Sequence, residues 1–281
     1  MMRYERGNFG AFETEIASEN EVIFFSLKEV KDGVDMGDPD FFTLLLLESG
    51  SGIHKIDFLD FTVRPKQFHF VQPQQIHTYQ FNDNVMGYGV MVHRKFFELF
   101  SNGFHFALPL YMKHPVLELR EVEFKNLKGE FEGIRQEVGG SLVFRELVVA
   151  RFFVIACLIS RISKHYFENL PITKGNPKLY KFLGLIEEYF HSNRKPAFYA
   201  GKLNITVSYL NSLCKRYFHC TSTNMIENRI VLEAKRFLIS GLSIKETAKA
   251  LSFRDVSYFI RYFRVHTKST PKRFRALYGF E

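Results

Sequence analysis

The chain has 281 residues, a formal net charge of +8 and three cysteines. This length allows two domains, each with its own hydrophobic core. The longest apolar run, residues 152–159, is flanked by Arg151 and Arg161, so it predicts a buried helix and is too short to span a membrane. The first ten residues lack the apolar core of a signal peptide, and the cysteines have neither zinc nor disulfide spacing. We therefore expect a soluble, cytoplasmic protein.

Charge is distributed unevenly along the chain. Residues 174–281 hold 20 Lys/Arg and 7 Asp/Glu, a balance of +13, whereas residues 1–173 hold 18 and 23, a balance of −5. A basic domain after an acidic one is what phosphate binding by the second domain requires. The alternative is that these basic residues form a solvent-exposed face that binds no phosphate.

The first hundred residues alternate between β-rich runs and turns that contain Gly, Pro or Asn. Short strands at nearly even spacing predict a small all-β barrel. The predicted strands are Val22–Leu27, Phe42–Leu47, Ile53–Phe58, Phe68–Val71, Ile76–Phe81 and Met86–Val92.

Three histidines fall on these strands, but no His-x-His pair occurs in the chain. We therefore expect His54, His69 and His77 to make interior or rim hydrogen bonds, and we expect neither a metal nor a cofactor. His77, Tyr79 and Phe81 alternate onto one strand face, where they either line a pocket or fill the core. The residues that would contact an effector are unknown at this stage.

Residues 116–169 have a helical pattern, with apolar residues that recur in a heptad-like stripe. Such helices either form a dimer or pack only on their own barrel. The candidate dimerisation residues are Phe124, Leu127, Phe131, Ile134, Val138, Leu147 and Val154. Residues 170–177 have the Pro, Gly and polar character of a linker, which divides the chain into domains 1–169 and 178–281.

The basic region begins with a helix over Phe182–Phe190 and a short helix over Phe198–Leu203. A turn follows at Asn204, and Thr206 is a suitable N-cap for the next helix, which carries apolar residues at helical spacing. A helix over Thr223–Ser240 then runs for about 25 Å and ends at Gly241.

Residues 242–275 contain the most informative pattern in the chain. Ser243 and Glu246 form a capping box for a short helix, which turns at residues 252–253. A second helix starts at Asp255, with Phe259 and Phe263 facing inward. Two short helices around a tight turn are typical of the helix-turn-helix that enters a DNA major groove.

This stretch resembles the second DNA-binding unit of the AraC family of bacterial transcription regulators. Residues 205–216 are similar to the first recognition helix of that family. Ser252, Lys268 and His219 stand where the family usually has Gly, at positions that favour a positive φ. The matching residues are Phe253, Asp255, Ser257, Tyr258, Phe259, Phe263, Thr270 and Pro271, with Arg264 in place of a lysine.

The resemblance implies that both recognition helices contact DNA near their N-termini. Asn211 would pair with adenine, Arg261 with guanine and Val256 with a thymine methyl group. The predicted base-reading residues are Ser208, Asn211, Ser212, Val256, Ser257, Ile260 and Arg261. The predicted phosphate contacts are Lys215, Arg216, Arg264, Lys272 and Arg273.

The pattern of residues 46–77 looks like the cupin-type sensing domain that precedes the DNA-binding half in many members of this family. The expected fold is α+β: a cupin-like barrel with a helical dimerisation segment, followed by an all-α domain of two helix-turn-helix units joined by a linker helix. The resemblance implies a non-enzymatic regulator, an activator or a repressor, whose partners are promoter DNA, RNA polymerase, a second copy of the chain and a small-molecule effector. Two alternatives stay open: control by a protein partner or constitutive dimerisation, and a metal-dependent cupin enzyme with a DNA-binding tail.

Overall fold

The computed structural model describes residues 15–16, 21–30, 33–35, 40–82, 85–106, 108–140, 143–167, 177–218 and 220–278. The chain forms two compact units, Met1–Tyr166 and Phe167–Glu281. The predicted linker falls almost entirely on residues outside the described ranges, and Pro177 already begins a helix. None of the helices in these ranges is long and apolar enough to cross a lipid bilayer.

The first unit is built on two antiparallel sheets. The larger has the strand order β1-β2-β9-β4-β7-β10 and the smaller has the order β3-β8-β5-β6. The strands are β1 (Glu15–Ile16), β2 (Val22–Ser26), β3 (Gly33–Asp35), β4 (Phe41–Ser49), β5 (Gly52–Ile56), β6 (Leu59–Val63), β7 (Gln67–Val71), β8 (His77–Phe81), β9 (Met86–His93) and β10 (Val116–Glu118).

All six predicted strands are confirmed with small shifts at their ends. A core cluster lies between the sheets, where Leu45 and Leu47 of β4 pack in one cluster with Val63 of β6 and Tyr79 of β8. The other face of β4 is also covered, because Phe42 stacks on Phe97 with ring centroids 3.8 Å apart. Burial on both faces explains why β4 is a nearly continuous apolar run. Strand pairing in the described ranges gives two sheets, so a closed barrel stays a prediction.

Strand β6 was missed in the sequence because the predicted strand 53–58 runs into it. The chain turns back at Asp57 and Phe58, whose φ angles are 47° and 71°. Ile56 then pairs with Leu59 across this two-residue loop. Two consecutive positive φ angles are what a type I′ hairpin requires, and Asp57 suits the first position, but Phe58 stands where Gly usually marks such a turn.

The described part of the first unit also contains four α-helices: α1 (Arg94–Glu98), α2 (Leu108–Lys113), α3 (Glu121–Val138) and α4 (Arg145–Phe167). Residues 116–118 were predicted as helical, but they form β10, which pairs with β7. Helix α3 lies against the sheet, where Lys128 contacts Glu48 at 2.6 Å and the Tyr88 hydroxyl donates to Glu132 at 2.9 Å.

The heptad stripe of α3 is buried within its own chain, with the five residues 0–6 % exposed. Phe124, Leu127, Phe131, Ile134 and Val138 therefore do not form the exposed dimerisation surface that was predicted, and the alternative, packing on the chain's own sheet, describes them. Leu147 and Val154 of α4 are each 40 % exposed. For these two residues dimerisation stays a prediction.

The second unit is all-helical. Its helices are α5 (Pro177–Tyr189), α6 (Pro196–Lys202), α7 (Val207–Phe218), α8 (Ser222–Ile239), α9 (Ile244–Ala250), α10 (Val256–Thr267) and α11 (Pro271–Tyr278). The predicted helices are confirmed within two residues at most of their ends, except that α5 starts five residues earlier than predicted. Helix α8 packs against α7, α9, α10 and α11, so it forms the centre of this unit.

Candidate DNA interface

Helices α6 and α7 form the first helix-turn-helix unit. The amide of Ile205 donates to the carbonyl of Ala200 at 3.0 Å, and Asn204 has a φ of 51°. This is the bond that closes a helix C-terminus around one left-handed residue. Thr206 then caps α7, because its Oγ1 accepts from the amide of Tyr209 at 3.1 Å. The predicted N-cap is confirmed.

Helices α9 and α10 repeat this arrangement in the second unit. The amide of Phe253 donates to the carbonyl of Ala248 at 2.8 Å, and Ser252 has a φ of 55°. Asp255 caps α10 by accepting from the amides of Ser257 and Tyr258, each at 3.0 Å. The expected left-handed conformation is confirmed for Ser252, and also for Lys268 at the end of α10, with a φ of 59°. His219, the third such position, lies outside the described residues.

Each recognition helix buries one face and exposes the other. Leu210, Leu213 and Cys214 of α7 are buried, as are Phe259 and Phe263 of α10. Ser208 and Ser212 of α7 and Ser257 and Arg261 of α10 are exposed, whereas Val256 and Ile260 are half-buried. All five predicted phosphate contacts, Lys215, Arg216, Arg264, Lys272 and Arg273, are exposed.

Asn211 does not have the geometry of a base-reading residue. Its Oδ1 accepts from the amide of Ser222 at 3.0 Å and from the hydroxyl of the same residue at 2.8 Å. Ser222 is the first residue of α8, so these hydrogen bonds of Asn211 connect α7 to the start of that helix. The prediction that Asn211 pairs with adenine is therefore wrong for this arrangement, because an amide held in an internal bond cannot also present both its groups to a base.

Two exposed aromatic residues near the starts of α7 and α10 were missed in the sequence. Tyr209 is 46 % exposed and Tyr258 is 48 % exposed. Both stand third in their helices, after the same two residues: the tripeptide Val-Ser-Tyr begins α7 at Val207 and α10 at Val256. This internal repeat was a signal in the sequence that could have identified them.

A largely buried ion cluster joins α8 to α5. The Glu233 carboxylate, 2 % exposed, lies 2.7 Å from Arg229 and 3.2 Å from Arg236. Arg229 also contacts Glu187 of α5 at 2.7 Å. Burial alone would lower the pKa of Arg229, but the two carboxylates raise it above its ordinary value. The cluster fixes α5, and with it the first helix-turn-helix unit, against α8.

Three histidines of the first unit, His54, His69 and His77, meet in its interior. His54 Nδ1 lies 2.8 Å from His69 Nδ1, and His54 Nε2 lies 3.3 Å from His77 Nδ1. The expected interior hydrogen bonding is therefore confirmed. Burial lowers the pKa of His69 to about 3. Burial, followed by the neighbouring His69 and His77, lowers the pKa of His54 well below its ordinary value.

Gln67 sets the direction of the bonds along this histidine chain. Its Nε2 donates to Glu118 at 2.8 Å, so its Oε1 accepts from His69 Nε2 at 3.1 Å. Because a neutral imidazole has one donor and one acceptor nitrogen, His69 Nδ1 must accept from His54 Nδ1. By the same reasoning, His54 Nε2 accepts from His77 Nδ1. The network satisfies these ring contacts when all three rings are neutral.

The basic C-terminal region matches a known domain family, described as a helix-turn-helix domain, over residues 199–277. No curated protein matches the chain. Among solved structures, the C-terminal domain of the response regulator yesN from Fusobacterium nucleatum is 28 % identical, and the match covers 34 % of this chain and 94 % of that one, with a TM-score of 0.32.

ToxT from Vibrio cholerae, a point variant in its apo form, is 14 % identical over 93 % of this chain and 99 % of that one, with a TM-score of 0.45. ToxT from the same organism with a bound unsaturated fatty acid is 16 % identical over 92 % of this chain and 97 % of that one, with a TM-score of 0.43. All three TM-scores are below 0.5, so the assignment rests on the domain match. The C-terminal region of this chain is a helix-turn-helix domain of the AraC type.

Proposed function

We propose that the chain is a transcription regulator that binds promoter DNA sequence-specifically through both helix-turn-helix units. One observation carries this proposal: the same left-handed turn and the same Val-Ser-Tyr start, with its Ser and Tyr exposed, occur in α7 and in α10. A protein that only coats DNA would gain nothing from two shaped recognition helices. A sequence reader would use each of them in its own stretch of major groove.

Electrostatics supports the same proposal. The excess of +13 in residues 174–281 supplies the attraction to phosphates that precedes base recognition. Exposed Lys215 and Arg216 lie in the last turn of α7, and Arg264 lies in the last turn of α10. In this proposal they hold the protein in register on the phosphates, whereas residues near the helix N-termini read bases.

The test is selection of bound duplexes from a random DNA pool by the full-length protein, followed by affinity measurements against salt. We expect an enriched motif with two halves about one helical turn apart and a steep salt dependence. Salt-sensitive binding to all sequences, without enrichment, would contradict sequence-specific regulation. The same selection with residues 174–281 would then separate a missing effector from a lack of specificity.

Arg261 is the sharpest single residue for this test. In the proposed arrangement it makes a bidentate contact with guanine, so Arg261→Ala should cost about 1–3 kcal/mol and relax the preference at one base pair. Lys272→Ala is the matched control, because a phosphate contact should weaken all sequences alike. Equal losses on every duplex for the Arg261 variant would exclude the base-reading role.

For the first unit we propose control by a small-molecule effector and assembly into a homodimer through the exposed face of α4 that carries Leu147 and Val154. An effector that prefers one arrangement of this unit would shift the population that is competent for DNA binding. A thermal-shift screen across a metabolite panel tests the first part. Sedimentation of a Leu147→Glu, Val154→Glu variant tests the second, and an unchanged mass relative to the parent protein would exclude this face.

A further inference from the structure

Arg194 connects the two helix-turn-helix units directly. It lies between α5 and α6, at the entrance to the first unit, and its side chain extends to the turn of the second. Its Nη2 donates to the carbonyl of Leu251 at 2.5 Å. Its guanidinium carbon lies 3.6 Å from the centre of the Phe253 ring. Both contacts fall on the two sides of Ser252, the left-handed residue of the second turn.

The position suits a cation for a physical reason. Leu251 is the C-cap of α9, where carbonyl groups have no partner within the helix and the helix dipole is negative. A planar guanidinium can donate to such a carbonyl and stack on an aromatic ring at the same time, which an ammonium group cannot do. Arg194 is half-buried, and this burial lowers its pKa from the ordinary value.

The Phe253 ring, on which Arg194 stacks, also packs against three aromatic residues of α10. It lies 5.1 Å from the Phe259 ring, 5.2 Å from the Tyr262 ring and 5.8 Å from the Tyr258 ring, measured between centroids. These three residues are in α10, and Tyr258 belongs to its exposed, DNA-facing start. Arg194 therefore stacks on a side chain that links the turn to the N-terminal end of α10.

The backbone next to Arg194 is fixed to the first unit. The hydroxyl of Tyr199, a fully buried residue of α6, donates to the carbonyl of Asn193 at 2.6 Å. Asn193 immediately precedes Arg194, so the arginine starts from a point that α6 holds in place. The backbone of Arg194 is thus held by the first helix-turn-helix unit, and its guanidinium group is held by the second.

We propose that Arg194 is a positioning residue that fixes the second recognition helix relative to the first, and thereby sets the spacing between half-sites that the protein accepts. The inference rests on the proposed function, since it presupposes a DNA site with two halves. It assigns Arg194 no contact with DNA. Its effect comes from coupling: when two reading units are held rigidly, binding of one half-site places the other unit at high effective concentration over the second half.

The test uses full-length protein with Arg194→Ala and Arg194→Lys, and with Lys195→Ala as the matched control. Lys195 is the adjacent exposed cation and makes no side-chain capping bond. The DNA probes are the duplex selected from the random pool, the same duplex with one base pair added or removed between its halves, and each half-site alone. Binding is measured over a salt series for every probe, and circular dichroism melting reports whether each variant folds.

We expect both Arg194 variants to bind the selected duplex about tenfold more weakly, a typical size for coupling between two sites. We also expect them to discriminate less against the altered spacings, while their affinity for single half-sites and their salt slope stay at the parent values. Lys195→Ala should retain the full spacing preference. The lysine variant is decisive because it keeps the charge but loses the planar group.

Two results would overturn the inference. If Arg194→Lys behaves like the parent protein while Arg194→Ala has a smaller salt slope, Arg194 is a phosphate contact. If both variants keep the parent's spacing preference, the contact has no positioning role. Should the alanine variant lose cooperative melting, the lysine variant carries the comparison. A parent protein that selects no bipartite duplex would instead refute the proposed function.

Discussion

The histidine chain of the first unit predicts a loss of stability in mild acid. His54, His69 and His77 satisfy one another as neutral rings, and burial disfavours the addition of a charge to His54 or His69. The pKa of His69 falls from 6.5 to about 3 on folding. The unfolded chain therefore binds a proton at His69 more readily than the folded chain does. The contribution of the neutral His69 ring to the free energy of unfolding is complete above pH 6.5 and is lost as the pH falls toward 3.

The magnitude follows from these two values. Between pH 7 and pH 5 the protonation of His69 in the unfolded chain alone removes about 2 kcal/mol of stability. The pKa of His54 is shifted in the same direction, so its contribution adds to this loss. A loss of 2 kcal/mol corresponds to an approximately thirtyfold increase in the population of the opened state.

Hydrogen exchange followed by mass spectrometry, corrected for the intrinsic pH dependence, measures this population in peptides from β5, β7 and β8. Peptides from α8 in the same sample provide the comparison. A double variant, His54→Phe with His69→Leu, removes both titrating rings and should show a smaller difference between pH 7 and pH 5. Equal or higher protection of the parent strands at pH 5 would refute the reasoning.

Three further predictions concern the second unit. Glu233→Gln should destabilise it by about 3–5 kcal/mol in urea unfolding, because two buried guanidinium groups lose their shared carboxylate. Glu187→Gln, at a more exposed partner, should cost only about 1 kcal/mol. Ser252→Gly should raise Tm by relieving up to about 1 kcal/mol of left-handed strain, whereas Lys249→Gly inside α9 should lower it. Asn211→Ala should cost about 1 kcal/mol through the lost bond to α8 and leave the base preference of selected duplexes unchanged. An altered preference at one base pair would restore Asn211 as a reading residue.

Local features of the fold could be predicted well from the sequence. The caps Thr206 and Asp255, the left-handed residues Ser252 and Lys268, and the strands of the first unit all follow from short-range chemistry. Capping and positive φ involve atoms only a few residues apart, and residue types report on them directly.

The sequence could not show which residues that are distant in the chain contact each other in the fold. Apolar periodicity says which face of α3 is buried, but a sheet of the same chain and a second chain satisfy it equally well. The bond from Arg194 to Leu251 joins residues 57 positions apart, and His54 and His69 come from different sheets. The sequence places Asn211 near the start of α7, which is where base-reading residues are expected. It does not show that Ser222, at the start of α8, lies within hydrogen-bond distance of Asn211.

The strand order of the larger sheet has a consequence for synthesis of the protein. Strand β4 pairs on one side with β7 and on the other with β9, both of which follow it in the chain. Its run of adjacent apolar residues ends at Leu47, and β9 ends at His93. At ribosomal rates of about 5–20 residues per second, this run waits several seconds for its second partner. During that interval an unpaired hydrophobic strand is open to aggregation, so weak induction, which lowers the concentration of unfinished chains, favours recovery of folded protein.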